Sequence, residues 1–253
     1  MHPARIAELL QPFLSPTPNS CHSEPGRRPG EEPAVPAVLS AGQLQSISTY
    51  IDILLRWNAR INLSAIRAPE EIVTRHFGDS LFAARHLFPR VSSVSPVPSV
   101  VRDFDFARDQ RPTTNDRVAD LGSGAGFPGL PIKLWAPNIA LTLIESNHKK
   151  AAFLRDVARA LTLTDINIQN VRAETLPPST FHVVTLRAVE RFAHTLAIAA
   201  RLVAPASRLA LLLTSSQLDA ARSTLPHFAW DPPIPIPQSQ SRLFIVGVLE
   251  PRI

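Results

Sequence analysis

The chain has 253 residues, 45% of them hydrophobic and 19% charged, and its net charge of +5 is carried mainly by arginine. Those proportions exclude a fibrous, wholly disordered or membrane-embedded chain and predict one principal folded domain with an appendage, with a basic balance that favours contact with phosphates. The single cysteine, Cys21, excludes a disulfide framework and a cysteine-based metal site, and no apolar run is long enough to span a bilayer or to serve as a signal peptide, so a reducing, cytoplasmic setting without membrane or metal is expected.

Eight of the 25 prolines fall in the first 36 residues, so residues 1–40 read as a disordered Pro-rich extension. From Gln43 to Ile61 the apolar residues Leu44, Ile47, Ile51, Leu54, Leu55 and Trp57 recur at helical spacing. Pro69-Glu70-Glu71 opens a second helix running to about Phe88. Residues 41–90 are therefore expected to form a helical cap. Residues 91–115, rich in Ser, Pro and charge, read as a linker or inserted loop. Residues 116–253 alternate as a doubly wound sheet should. Strands are expected at 117–121, 140–145, 166–171, 181–186, 207–213 and 242–249, and helices at 127–136, 147–161, 190–203 and 215–222. The last strand, after the Pro-rich stretch 226–237, is expected to form an antiparallel sheet edge, with Trp230 as packing.

The chemistry concentrates at Asp120-Leu-Gly122-Ser-Gly124-Ala-Gly126-Phe127-Pro-Gly129. An apolar strand ends in an acid and runs into alternate glycines, which let a ligand lie against the loop's backbone N–H groups before the next helix. Asp120 can order that loop or meet a cationic ligand. The next strand ends in Glu145, the placement of a carboxylate that bonds ribose hydroxyls. Gly124 to Gly129 also satisfies the G-x-G-x-x-G dinucleotide pattern, so an NAD-dependent oxidoreductase is an alternative. Pro128 and Pro131, however, remove N–H donors where a pyrophosphate needs them, and Asp120 repels one. S-adenosylmethionine suits the loop better. Ala173 and Glu174 follow the third strand where an adenine ring is gripped, and Arg187 closes the fourth strand at the cleft.

The chain resembles the RsmG (GidB) family of 16S ribosomal RNA guanine-N7 methyltransferases. The resemblance rests on Tyr50-Ile-Asp-Ile-Leu-Leu-Arg-Trp57-Asn58-x-x-x-Asn62-Leu63, on Arg75-His76-Phe-Gly-Asp79-Ser80-Leu81 and on the glycine loop. It implies a Rossmann-like S-adenosylmethionine-dependent methyltransferase sheet with an N-terminal helical cap, a 16S ribosomal RNA or small-subunit partner, and cofactor contacts at Gly122, Phe127, Ala173, Glu174 and Arg187. Asn58, Arg75, His76 and Asp79 are then candidates, with Arg187, for a polar patch that positions the target nucleotide. Arg75 and Asp79, four apart on a helix, also read as an ordinary ion pair. The basic residues Lys149, Lys150, Arg155 and Arg159 read as a charged helix face. Thr214-Ser215 stands where the family carries Lys-Gly, leaving that strand end without a basic group. That departure keeps a catalytically silent RNA-binding protein as a further alternative.

Overall fold

The computed structural model describes residues 1–15, 38–90, 116–189 and 191–250. The whole 91–115 segment, most of the Pro-rich extension and Cys21 lie outside these residues. The extension nevertheless begins with a helix, α1 (Pro3–Leu14), which corrects the expectation of disorder over 1–40. His2 caps it, and Ile6, Leu10 and Phe13 at helical spacing are fully buried. Proline count misled here because Pro3 sits in the first turn, where it is tolerated.

The cap continues with α2 (Ala41–Asn58), opened by a reciprocal bonding pair between Ser40 and Gln43. A long helical stretch follows: α3 (Pro69–Glu71), a π-helical segment Ile72–Gly78, and α4 (Asp79–Leu87). At Gly78 a Cβ would sit 2.7 Å from the Phe13 ring, so α1 packs directly on this stretch.

The sheet strands are β1 (Arg117–Leu121), β2 (Ala140–Ile144), β3 (Ile166–Gln169), β4 (Phe181–Arg187), β5 (Val203–Thr214), β6 (Phe228–Trp230), β7 (Ile234–Pro235) and β8 (Arg242–Leu249). Their order is β3-β2-β1-β4-β5-β8-β6, with β7 also on β8. The first five run parallel, and β8 is antiparallel to β5. Between them lie α5 (Gly129–Trp135), α6 (His148–Ala160), α7 (Phe192–Leu202) and α8 (Leu218–Thr224). β8 is not the edge expected from the sequence, because β6 pairs outside it. Trp230 fixes that pairing: its ring lies over Gly247, where a Cβ would come within 2.8 Å, and its indole N–H donates to Leu225.

Alternation along the strands divides the core in two. Val118, Leu141, Leu143 and Val183 face α5 and α6, while Ala119, Leu121, Val184 and Leu186 face α7 and α8. The first cluster runs without interruption into Ile6, Tyr50, Phe77 and Phe82. The helical cap therefore has no separate core; it is the outer layer of one face of the sheet. The strand order reverses at β1, which pairs with both β2 and β4, and that opens the crevice at the carboxyl ends where ligands bind in such sheets. No helix among the described residues is long and apolar enough to cross a membrane.

Candidate functional site

Beyond β1 the chain enters the glycine loop, with Gly122, Gly124 and Gly126 all at positive φ. The three differ in why they are glycine. A Cβ on Gly122 or Gly124 would meet nothing closer than 3.5 Å, so their outer faces are open. A Cβ on Gly126 would lie 2.3 Å from the Tyr50 hydroxyl and 2.5 Å from Leu130, so that position is closed by packing.

Four of the loop's amide donors are spent inside the protein. Gly122 and Ser123 N–H donate to Ile144, Gly126 N–H to Ser123, and Gly124 N–H to Glu145 Oε2 at 2.9 Å. The first amide of α5, Gly129 N–H, donates to Asp120 Oδ2 at 3.3 Å. A ligand over this turn thus meets bare glycine faces rather than a row of free amides, which departs from the expectation of backbone N–H contacts. A pyrophosphate would find the helix start already taken by a carboxylate.

Asp120 is 1% exposed and lies beneath the loop. Of the two roles open to it, it takes the first: Thr185, its register partner on β4, donates to Oδ1 at 2.8 Å, and the carboxylate holds α5 in place. Burial pushes its pKa up to about 6, against the pull of those donors. Glu145 continues from the end of β2. Its Oε1 accepts from Asn147 N–H at 2.8 Å while Oε2 holds Gly124, leaving a lone pair on each oxygen. Open glycine faces beside a fixed, acceptor-only carboxylate fit a ribose-bearing ligand such as S-adenosylmethionine. Ala173 is buried in a short 3-10 turn, and Glu174 beside it is exposed, with His194 3.7 Å from its carboxylate.

Phe127 stacks between the cap and the loop. Its ring is parallel to Tyr50 at 5.4 Å and to His76 at 4.7 Å, with Phe77 edge-on at 5.1 Å. Tyr50 donates its hydroxyl to Ala125 carbonyl oxygen, tying α2 to the loop. Sequence reasoning gave Tyr50 no role at the site. Its one visible signal was its place in the family motif.

The polar patch assembles only in part. His76 Nε2 is 2.7 Å from Ser64 Oγ, and Nδ1 is buried without a partner among the described residues. Burial, then the guanidiniums of Arg187, Arg75 and Arg242, depress its pKa to about 3, so the ring is neutral at physiological pH. Asn58 stands behind the patch: its amide bonds Leu63, Ser64 N–H and Ser64 carbonyl, which closes the loop after α2. Arg75 and Asp79 do not pair. Arg75 reaches Glu71 at 3.0 Å, whereas Asp79 receives Arg187 at 3.2 Å and Arg242 at 2.6 Å. The π-helical turn between them changes the side-chain register, and Asp79 is 1% exposed while Arg75 faces solvent. Burial pushes the Asp79 carboxyl up, and the two guanidiniums pull it back. Arg187 leaves β4 and turns to the cap, donating to Arg75 carbonyl oxygen at 2.6 Å, with Nη1 buried and unpartnered among the described residues. Arg242, to which the sequence assigns no role, comes from β8 and is the closest partner of Asp79.

With this geometry in view, the comparison with known proteins is specific. Residues 43–95 and 104–227 match the family model described as rRNA small subunit methyltransferase G. The chain belongs to this family. A ribosomal RNA small subunit methyltransferase G from Xylella fastidiosa is 39% identical over 142 residues, covering 56% of this chain and 55% of that protein. One from Exiguobacterium is 37% identical over 158 residues, covering 60% and 57%. One from Xanthomonas campestris pv. campestris is 34% identical over 187 residues, covering 70% and 76%. The chain thus spans little more than half the length of the first two relatives. The match to methyltransferase G includes the cap from Gln43 onward and the glycine loop, the two parts that Tyr50 and Phe127 lock together.

Proposed function

We propose that this chain transfers a methyl group from S-adenosylmethionine to N7 of a guanine in 16S ribosomal RNA of the small ribosomal subunit, in the cytoplasm. The observation that carries the reading is the loop itself: open glycine faces at the switch point, the Glu145 carboxylate fixed beside them, and a helix start closed to pyrophosphate by Asp120. The same closure, with the family match, weighs against an NAD-dependent oxidoreductase.

When bound, S-adenosylmethionine supplies an electrophilic methyl group on a sulfonium. Guanine N7 carries an exposed lone pair, so its attack needs no covalent nucleophile and no base to remove a proton. The protein's task is alignment, which is worth several kcal/mol when the reacting atoms are held in line. Glu145 would accept hydrogen bonds from the ribose hydroxyls, and Ala173 and Glu174 would flank the adenine. Gly122, Gly124 and Phe127 would shape the floor, over the Asp120 support. Arg187 and His76 face the junction of cap and sheet, where the target nucleotide would enter. A neutral His76 suits a purine that gains positive charge, because an imidazolium there would oppose it. Asn58 and Asp79 act at one remove, by holding Ser64 and the two arginines.

The test is deletion of the gene, mass spectrometry of the ribosomal RNA, and complementation. The expected result is loss of one 7-methylguanosine from 16S RNA, restored by the wild type and not by Arg187→Ala. Unchanged methylation in the deletion strain would remove the proposal. A silent RNA-binding protein would restore nothing and bind RNA without S-adenosylmethionine.

A further inference from the structure

Beside the Arg187–Asp79 junction lies a second cleft of about 580 Å³ that the methyl-transfer reading does not use. The cap contributes Thr74 and Arg75, the end of β5 contributes Thr214, and the turn into β8 contributes Gln238, Gln240, Ser241 and Arg242. Every side chain lining it is Thr, Ser, Gln or Arg; none is acidic and none is a large hydrophobe. That chemistry excludes a metal cation and an apolar ligand, and it suits an anion with several oxygen acceptors.

The donors are held in advance. Arg242 is fixed through Nη1 on both Asp79 oxygens, at 2.8 and 2.6 Å, and Nη2 donates to Gln238 carbonyl oxygen at 3.4 Å, which holds the guanidinium at the wall of the cleft. Arg75 is tethered to Glu71 through Nη1 alone and is half-exposed. The turn that carries Gln238 and Ser241 is braced by Ser239 Oγ, which accepts from the N–H groups of Ser241 and Arg242. The cleft also joins the methyl-transfer site, since Arg75 carbonyl oxygen receives Arg187. Thr214, the strand end left without a basic group, stands in register opposite Arg242, so the neighbouring strand supplies the cation there.

We propose that this cleft seats a backbone phosphate of the RNA substrate next to the methylated guanine, an assignment that rests on the RNA methyltransferase reading. Arg75 and Arg242 supply the charge, and the Ser and Gln side chains supply neutral donors, the Thr74 and Thr214 hydroxyls being already committed to Glu70 and Gln217. The phosphate fixes the register of the strand while the base enters between cap and sheet.

The test measures binding of a 16S-derived RNA fragment by the full chain at several salt concentrations, without S-adenosylmethionine. Gln240→Glu and Ser241→Asp place an acid in the cleft without removing a buried partner, and Arg75→Gln removes an exposed cation. Each is expected to weaken RNA binding about tenfold, and Arg75→Gln is expected to lower the slope of log affinity against log salt by about 0.7. S-adenosylmethionine affinity, read by calorimetry, stays unchanged. Unaltered RNA affinity and slope in all three folded variants would overturn the assignment. So would displacement of the RNA by millimolar inorganic phosphate with no dependence on RNA length, which would place a small free anion there instead. If the wild type transfers no methyl group but the variants still lose RNA, the methyltransferase reading fails and the cleft stands. If methyl transfer proceeds with an unchanged KM for RNA in all three, the cleft fails and that reading stands.

Discussion

The glycine loop and the Asp79 junction face the same crevice and are built in opposite ways. The loop is made of backbone from one continuous stretch, with the amides of Gly122, Ser123, Gly124 and Gly126 paired internally and two carboxylates, Asp120 and Glu145, holding it from below and beside. The junction is made of side chains from three distant segments, Asp79 on the cap, Arg187 on β4 and Arg242 on β8, and it closes only when the fold is complete. The difference teaches where each region's strength lies: steric fit in the loop, charge neutralisation in the junction.

The largest expected effect comes from breaking the junction. Asp79→Ala leaves two largely buried guanidiniums facing each other and should cost about 3–5 kcal/mol in urea unfolding. A loss below about 1 kcal/mol would show that the guanidiniums find other acceptors. In the loop the corresponding break is steric. Gly126→Ala drives a methyl group into the Tyr50 hydroxyl at a positive φ and should cost about 3 kcal/mol. Adding Tyr50→Phe should recover part of that loss, although Tyr50→Phe alone should destabilise by about 1 kcal/mol through the lost bond to Ala125. Strict additivity of the two would contradict the close contact.

Acid should separate the two regions further. Asp120 has its folded pKa raised to about 6, so its stabilising contribution is full below about pH 4 and is lost as pH rises through 6. His76 has its folded pKa lowered to about 3, so its contribution is full above about pH 6.5 and is lost as pH falls toward 3. Between about pH 4 and 6 the slopes oppose, each about 1.4 kcal/mol per pH unit. Asp120→Asn should therefore make stability rise with pH across that window, and His76→Gln should make it fall. Equal slopes in wild type and both variants would contradict the assigned burial. The smallest effect is expected from Glu145→Gln. Stability should drop by about 1 kcal/mol through the weakened hold on Gly124 and Asn147, while S-adenosylmethionine affinity falls about tenfold. Unchanged affinity would remove Glu145 from the proposed ribose site.

These contrasts also explain what could be read in advance. The loop was legible because its signal is local: an apolar run, an acid and alternate glycines within ten residues, followed by a second strand ending in Glu145. Strand positions 117–121 and 242–249, and 140–145 to within one residue, followed from the same short-range patterning. The junction was not legible, because Arg242 lies 163 residues from Asp79 and its role depends on β8 inserting between β5 and β6. The Arg75–Asp79 pairing failed for a local reason, the π-helical turn, which helical spacing does not reveal. The first helix was hidden by its prolines, Pro3 in the first turn and Pro12 inside the helix, although Ile6, Leu10 and Phe13 already carried its periodicity. Asn58 shows the remaining kind of miss: a polar residue in a recognisable motif whose bonds all serve its own loop.

Calorimetric titration of the full chain with S-adenosylmethionine and, separately, with NAD tests the central claim most directly. The account predicts one S-adenosylmethionine bound per chain, weakened by Glu145→Gln, and no heat from NAD. Binding of NAD alone, or of neither molecule to a folded chain, would contradict it.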